Sequence, residues 1–246
     1  MGSGSVDADG LTRRVRPLVV FAAGMLRPAF DALAAARPEA LRIDYANARD
    51  LADRIVGGEE ADVFASASPD HPRQLRDRGL VGEPLEFACN RLVVAVPAGS
   101  PASDHRVLGV PGTRVVIEVG GIPLGDYTRE LLGRLDELHG GGFAEAVLGN
   151  VVLEAQTVFQ VADALLDGDA DAGVLYATDV AAHPSGLRAI ELPVAVEVTC
   201  VACVVGSSTR AGQAADWVGG LVGEPTRAVL RQTGFGPPRG AEWPAS

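Results

Sequence analysis

Pro17-Leu18-Val19-Val20-Phe21-Ala22-Ala23-Gly24 decides the fold class. An unbroken apolar run, stopped by proline on one side and by Ala-Ala-Gly on the other, reads as a strand buried on both faces that empties into a turn. A helix is expected next, over about 26–36, then an alternating strand at 41–45. Asp50 to Val56 places Leu51, Ala52 and Ile55 on one helical face, with Gly57-Gly58 as the stop. Further strands are expected at 61–65, 91–96, 114–118 and 173–176, and within the apolar run 194–205. Helices are expected near 72–78, 127–138, 158–166, 211–221 and 226–232. Strands alternating with helices at this spacing predict parallel β-α-β units and an α/β protein.

Composition agrees with a folded chain and narrows its partners. The 246 residues are 47% hydrophobic, enough for a full core, and 30 Gly with 16 Pro supply the many turns that alternation requires. The net charge is −11 and all 21 basic residues are arginine. No basic stripe runs along the chain, so a nucleic-acid partner is not expected. An acidic surface does not exclude a small anionic ligand, which local amide donors can hold. No run approaches the ~18 apolar residues of a membrane span. Arg13-Arg14-Val15-Arg16 before the apolar run, with Ala32-Leu33-Ala34 beyond it, imitates a targeting signal, but a buried first strand is the preferred reading. Residues 1–16 read as a flexible leader, or as a scar in place of a signal.

Five segments stand out along the chain: Val20-Phe21-Ala22-Ala23-Gly24-Met25-Leu26, Ala61-Asp62-Val63-Phe64-Ala65-Ser66-Ala67, Ile122-Pro123-Leu124-Gly125-Asp126-Tyr127, Gly173-Val174-Leu175-Tyr176-Ala177-Thr178-Asp179 and Leu192-Pro193-Val194-Ala195-Val196. In that order and at nearly that spacing they resemble the molybdate- and tungstate-binding solute receptors of ABC transporters. The resemblance implies a two-lobed type II periplasmic-binding fold whose hinge is two crossing strands. One lobe would comprise 17–96 plus 194–246 and the other 97–193, each with its own sheet. The Pro, Gly and Ser-rich passage from Pro97 to Pro111 sits where the chain should change lobes. The resemblance also implies a monomer that hands its small anion to an ABC permease, needing no cofactor or metal. A native signal would put it outside the cytoplasm, at the cell surface or in the periplasm; without one it would be cytoplasmic.

Carried over by position, the ligand site falls on Gly24, Met25, Asn47, Ala48 and Arg49 in the first lobe and on Leu124, Val158 and Tyr176 in the second. Such sites hold a dehydrated oxyanion with neutral donors: hydroxyls and the N–H groups of turns and helix starts. Leu124 and Val158 would act through main-chain N–H groups, Tyr176 through its hydroxyl. Met25 and Ala48 depart from the pattern, because the family has hydroxyl residues there. A hydrogen bond to a charged group contributes about 1.5–3 kcal/mol, so losing two would weaken binding by about 3–6 kcal/mol. Asn47 or Arg49 is a candidate substitute, Arg49 adding a charge and a forked donor. The competing readings make Met25 a core plug, Arg49 a solvated helix-start residue and Tyr176 an ordinary strand tyrosine.

Other motifs point to structure. Cys200-Val201-Ala202-Cys203 lies in a strand-like run, where residues three apart face opposite sides at roughly 10 Å, beyond disulfide reach. His71, His105, His139 and His183 are isolated and lack metal-ligand spacing, and Gly140-Gly141-Gly142 reads as a loop. No nucleophile elbow or phosphate loop occurs. The second class of function is an enzyme or intracellular binding protein that reuses the fold on a different small anion, favoured by the altered first-lobe donors and the missing signal.

Overall fold

The apolar run that opens the chain forms β1, Leu18–Ala23, in a computed structural model that describes residues 16–36 and 41–243. Arg16 apart, the leader and its basic cluster lie outside the described residues. β1 pairs in parallel with β2, Leu41–Ala46, and with β3, Val63–Ser66. Helices α1, Arg27–Ala35, α2, Ala48–Val56, and α3, Asp70–Asp77, alternate with them. The junction strand β4, Leu85–Pro97, comes next. The second set of parallel strands is β5, Val115–Glu118, flanked by β6, Val151–Ala155, and β7, Ala172–Tyr176. Helices α4, Pro123–His139, α5, Phe143–Gly149, and α6, Val158–Leu166, connect them. After β7 come α7, Ala177–Ala181, and β8, Leu187–Ile190; then β9, Glu197–Val204, α8, Ala211–Gly220, and α9, Glu224–Gln232.

The two sets are not separate sheets, which corrects the expectation of one sheet per lobe. One hydrogen-bonded path runs β2-β1-β3-β9-β4-β7-β5-β6, with β8 also on β4. The 13 residues of β4 reach roughly 43 Å at 3.3 Å per residue, long enough to belong to both sets. Its first part, Leu85 to Arg91, pairs antiparallel with β9; its second, Leu92 to Pro97, pairs antiparallel with β7 and β8. The change of partner at Arg91/Leu92 precedes the Pro-rich passage by several residues. Alternation in Leu85-Glu86-Phe87-Ala88 continues the strand upstream of Arg91, across a bulge between Glu86 and Ala88. The chain returns between β8 and β9 through Glu191 to Val196, so the late strand begins at Glu197 rather than Val194.

Packing follows from the faces. Phe30 of α1 meets Phe87 at 6.1 Å and Trp217 of α8 edge-on at 5.2 Å, closing one side of the first strand set. On its other side Leu51 and Ile55 of α2 pack with Phe21, Phe64 and Leu75. Cys200 belongs to the first of these cores and Cys203 to the second, both fully buried and unbridged. That is the alternation expected of one strand. Burial pushes the Cys203 thiol up to about 12 and the Cys200 thiol well above its usual value. Asp62 is buried at the far end of β1, yet satisfied: it accepts from the Val19 N–H at 2.7 Å, the Ser208 hydroxyl at 2.6 Å and the Arg210 guanidinium.

Candidate functional site

Three helix starts and one strand end converge where the two strand sets meet. Asn47 caps α2, accepting from the Asp50 N–H at 2.8 Å, so Ala48 is the first helical residue. Thr157 caps α6, accepting from the Gln160 N–H at 3.3 Å, so Val158 is the first there. α4 starts at Pro123, four residues before the expected Tyr127, because proline is pre-set for the first helical turn and lacks only an N–H that has no intrahelical partner. The 3-10 turn Gly24–Leu26 and the end of β7 at Tyr176 complete the ring.

These residues line one small cavity, with about 30 Å³ available to the centres of water-sized molecules, room for two or three. Of the eight positions expected in the site, Gly24, Met25, Asn47, Ala48, Leu124, Val158 and Tyr176 all line it. Arg49 does not line it. Its guanidinium lies against Gly121, where a Cβ would sit 2.0 Å from Nη2, and it faces a separate depression with His71 and Asp126. The direction follows from helical geometry: residue 49 is turned by about 100° from Ala48. Asn47 is occupied as well, since its amide donates to the Asp50 carboxylate at 2.9 Å while its oxygen caps the helix.

Met25 combines two readings. It is 1% exposed and lines the cavity, with its sulfur 3.7 Å from the Asn90 amide nitrogen. The same nitrogen donates to the Thr178 hydroxyl at 2.8 Å, tying β4 at its change of partners to α7 behind Tyr176. Tyr127 donates from its hydroxyl to the Ala67 carbonyl at 3.2 Å, a direct link between α4 and the turn after β3.

Glu118 is the residue that sequence reading missed. It ends β5, is 4% exposed, and is among the residues that line the cavity. Oε2 accepts from the Gly125 N–H at 3.3 Å, and the Leu124 N–H also favours its ionised form. Burial nevertheless pushes its pKa up to about 8, with Asp179 and Asp126 adding to the rise. Asp179, buried at the start of α7, is itself pushed up to about 7 by burial, against the Tyr176 N–H that lowers it. The Tyr176 hydroxyl is raised well above its usual value by burial and then by Glu118. A signal existed: an acidic residue closing the apolar strand Val-Val-Ile-Glu, at the carboxyl end of a parallel strand where α/β sheets place ligands.

Among the described residues the walls carry no arginine or histidine side chain, so an anion held by them would meet amides, the Thr157 and Tyr176 hydroxyls, and Glu118. Among the described residues no group of three His, Cys, Asp or Glu side chains could hold a metal. The histidines are less isolated than their spacing suggests. His105 and His139 stack with Nε2 atoms 2.8 Å apart, packed beside Phe143. That pair lies outside the cavity walls.

Known proteins are similar to this chain along almost its whole length. Molybdate-binding protein ModA of Mycobacterium tuberculosis (strain H37Rv) is 29% identical over 239 residues, spanning 93% of this chain and 88% of the relative. A periplasmic molybdate-binding protein of Azotobacter vinelandii superposes with a TM-score of 0.75 at 22% identity, covering 90% of this chain and all of the other. The sulfate-binding protein SubI of Mycobacterium tuberculosis H37Rv reaches 0.80 at 18% identity, covering 91% and 87%. At those identities the structural likeness establishes the type II periplasmic-binding fold. The family model for bacterial extracellular solute-binding proteins matches residues 18–236, and the chain belongs to that family of receptors rather than to a family of enzymes.

Proposed function

We propose that this protein is the solute-binding receptor of an ABC importer and takes a small tetrahedral oxyanion, molybdate or tungstate, into the cavity between its two strand sets. One observation carries the reading: the starts of α2, α4 and α6 and the hydroxyl-bearing Tyr176 all reach one ion-sized cavity whose walls, among the described residues, hold no cation. Helix starts present N–H groups without intrahelical partners, which hold an oxyanion by aligned dipoles and need no counter-charge. The molybdate named for the Mycobacterium and Azotobacter relatives supports the choice of ligand. Residues 17–96 with 194–246 would then form one lobe and 97–193 the other, hinged on β4 and the returning chain. A monomer acting outside the cytoplasm and docking on a permease fits this role. Isothermal calorimetry and thermal unfolding with molybdate, tungstate, sulfate and phosphate test it. Molybdate or tungstate should bind at one site per chain and raise the Tm; if none of the four does either, the oxyanion reading is wrong.

A further inference from the structure

Glu118 stands in an unusual relation to the proposed ligand, a relation that rests on the oxyanion reading of the same cavity. Its carboxyl already lies on the α4 amides that an anion entering here would need. An ionised carboxylate there competes for those donors and repels an oxyanion across a cavity only a few water molecules in size. Protonated, it becomes a hydroxyl donor in a wall otherwise short of hydroxyls, since Met25 and Ala48 supply none.

We infer that Glu118 is a specificity-determining residue that makes recognition proton-coupled: the cavity takes a proton-free oxyanion dianion together with one proton, held on the Glu118 carboxyl. The balance is one anion and one proton bound per site, with no bond broken in the ligand.

The groups facing Glu118 set where the coupling shows. From α4 come the Leu124 and Gly125 N–H groups, which favour ionisation, and Asp126, which opposes it. Asp126 is also engaged by the Gly121 N–H at 2.6 Å. From β7 and α7 come the Tyr176 ring and the buried Asp179 carboxyl, which opposes ionisation. Arg129 approaches only the backbone, donating to the Glu118 carbonyl at 3.2 Å and to the Gly125 carbonyl at 3.0 Å, while its other nitrogen is paired with Glu154. Among the described residues no cation therefore neutralises the carboxylate, and the free protein keeps its proton up to about pH 8. Below that pH the proton is already in place and affinity is flat. Above it each binding event must take a proton from solvent, so affinity falls by up to about 10-fold per pH unit.

The test is calorimetry of molybdate binding from about pH 6.5 to 9.5, repeated near pH 9 in two buffers of different ionisation enthalpy to count protons. The unaltered protein should lose affinity about 10-fold between about pH 8.5 and 9.5 and take up close to one proton per anion at about pH 9. Glu118→Gln, which cannot ionise, should take up none and show a flat profile, exceeding the parent at about pH 9.5 by at least about 10-fold. Binding with a flat profile and no proton uptake in the unaltered protein overturns the coupling while leaving the oxyanion reading intact. Absence of oxyanion binding at every pH overturns both. Should Glu118→Gln not fold, the proton count on the unaltered protein decides alone.

Discussion

The two sides of the cavity are built differently. The side from the first strand set offers Gly24, Met25 and Ala48, plus an Asn47 amide committed to its own helix cap. The other side offers the Tyr176 and Thr157 hydroxyls, the α4 and α6 starts, and Glu118. The first side is therefore an apolar wall whose polar contribution is main-chain N–H, and the second carries almost all side-chain chemistry. Both side-chain hydroxyls among the described lining residues, Thr157 and Tyr176, therefore stand on the second side.

Breaking the richer side should have the largest effect. A Cβ on Gly125 would sit 1.9 Å from the Val119 carbonyl oxygen, a backbone atom that cannot move aside without shifting α4 from β5. Gly125→Ala should therefore destabilise the protein by about 3 kcal/mol or more, read as a fall in Tm or urea midpoint, and should abolish oxyanion binding. Gly24→Ala on the other side meets only the Phe159 ring and Val158 side chain at 3.0 to 3.1 Å, so it should cost clearly less. Equal losses would mean that the two walls are equally rigid.

Tyr176→Phe comes next. Removing its hydroxyl should weaken molybdate binding by about 1.5–3 kcal/mol in calorimetry if the hydroxyl meets the charge. On the poorer side the sign reverses: Ala48→Ser adds a donor at the start of α2 and should tighten binding by about 1.5 kcal/mol. Combining it with Met25→Ser should tighten binding further but lower stability, because a fully buried methionine leaves a void. Loss of affinity in Ala48→Ser would show that residue 48 faces the ligand only with its backbone.

A pH titration of the ligand-free protein sharpens the comparison from the stability side. Glu118 and Asp179 have raised native pKa values, about 8 and about 7. The native state thus binds protons that the unfolded chain has released, and their contribution to stability is fully present below the usual carboxyl range. It should fall as pH rises from about 4.5 to 8, and Glu118→Gln should flatten part of that fall in Tm against pH. The smallest effect belongs to Arg49→Ala, which should change oxyanion affinity by less than about 0.5 kcal/mol because its guanidinium lies outside the cavity.

Hydrophobic periodicity alone determined most of the secondary structure. The runs at 18–21 and 173–176, the later run within 194–205, and the helical stripes at 50–56 and 158–166 are local patterns, and local patterns survive any tertiary arrangement. Three of the five resembling segments contain residues 24, 25, 124 and 176, and position relative to them adds 47, 48 and 158; all seven line one cavity because each sits at an element end and element ends face the crevice. The tertiary structure alone decided the rest. Nothing local tells β4 to change partners at Arg91/Leu92, since its pairing with β7, β8 and β9 is set by contacts between segments far apart in the chain. One residue of helical rotation turns Arg49 out of the cavity and leaves Ala48 in it. His105 and His139 meet across 34 residues. Glu118 looks like a surface carboxylate in sequence; only the packing of α4 and β7 around the end of β5 removes its water and makes its proton part of the site.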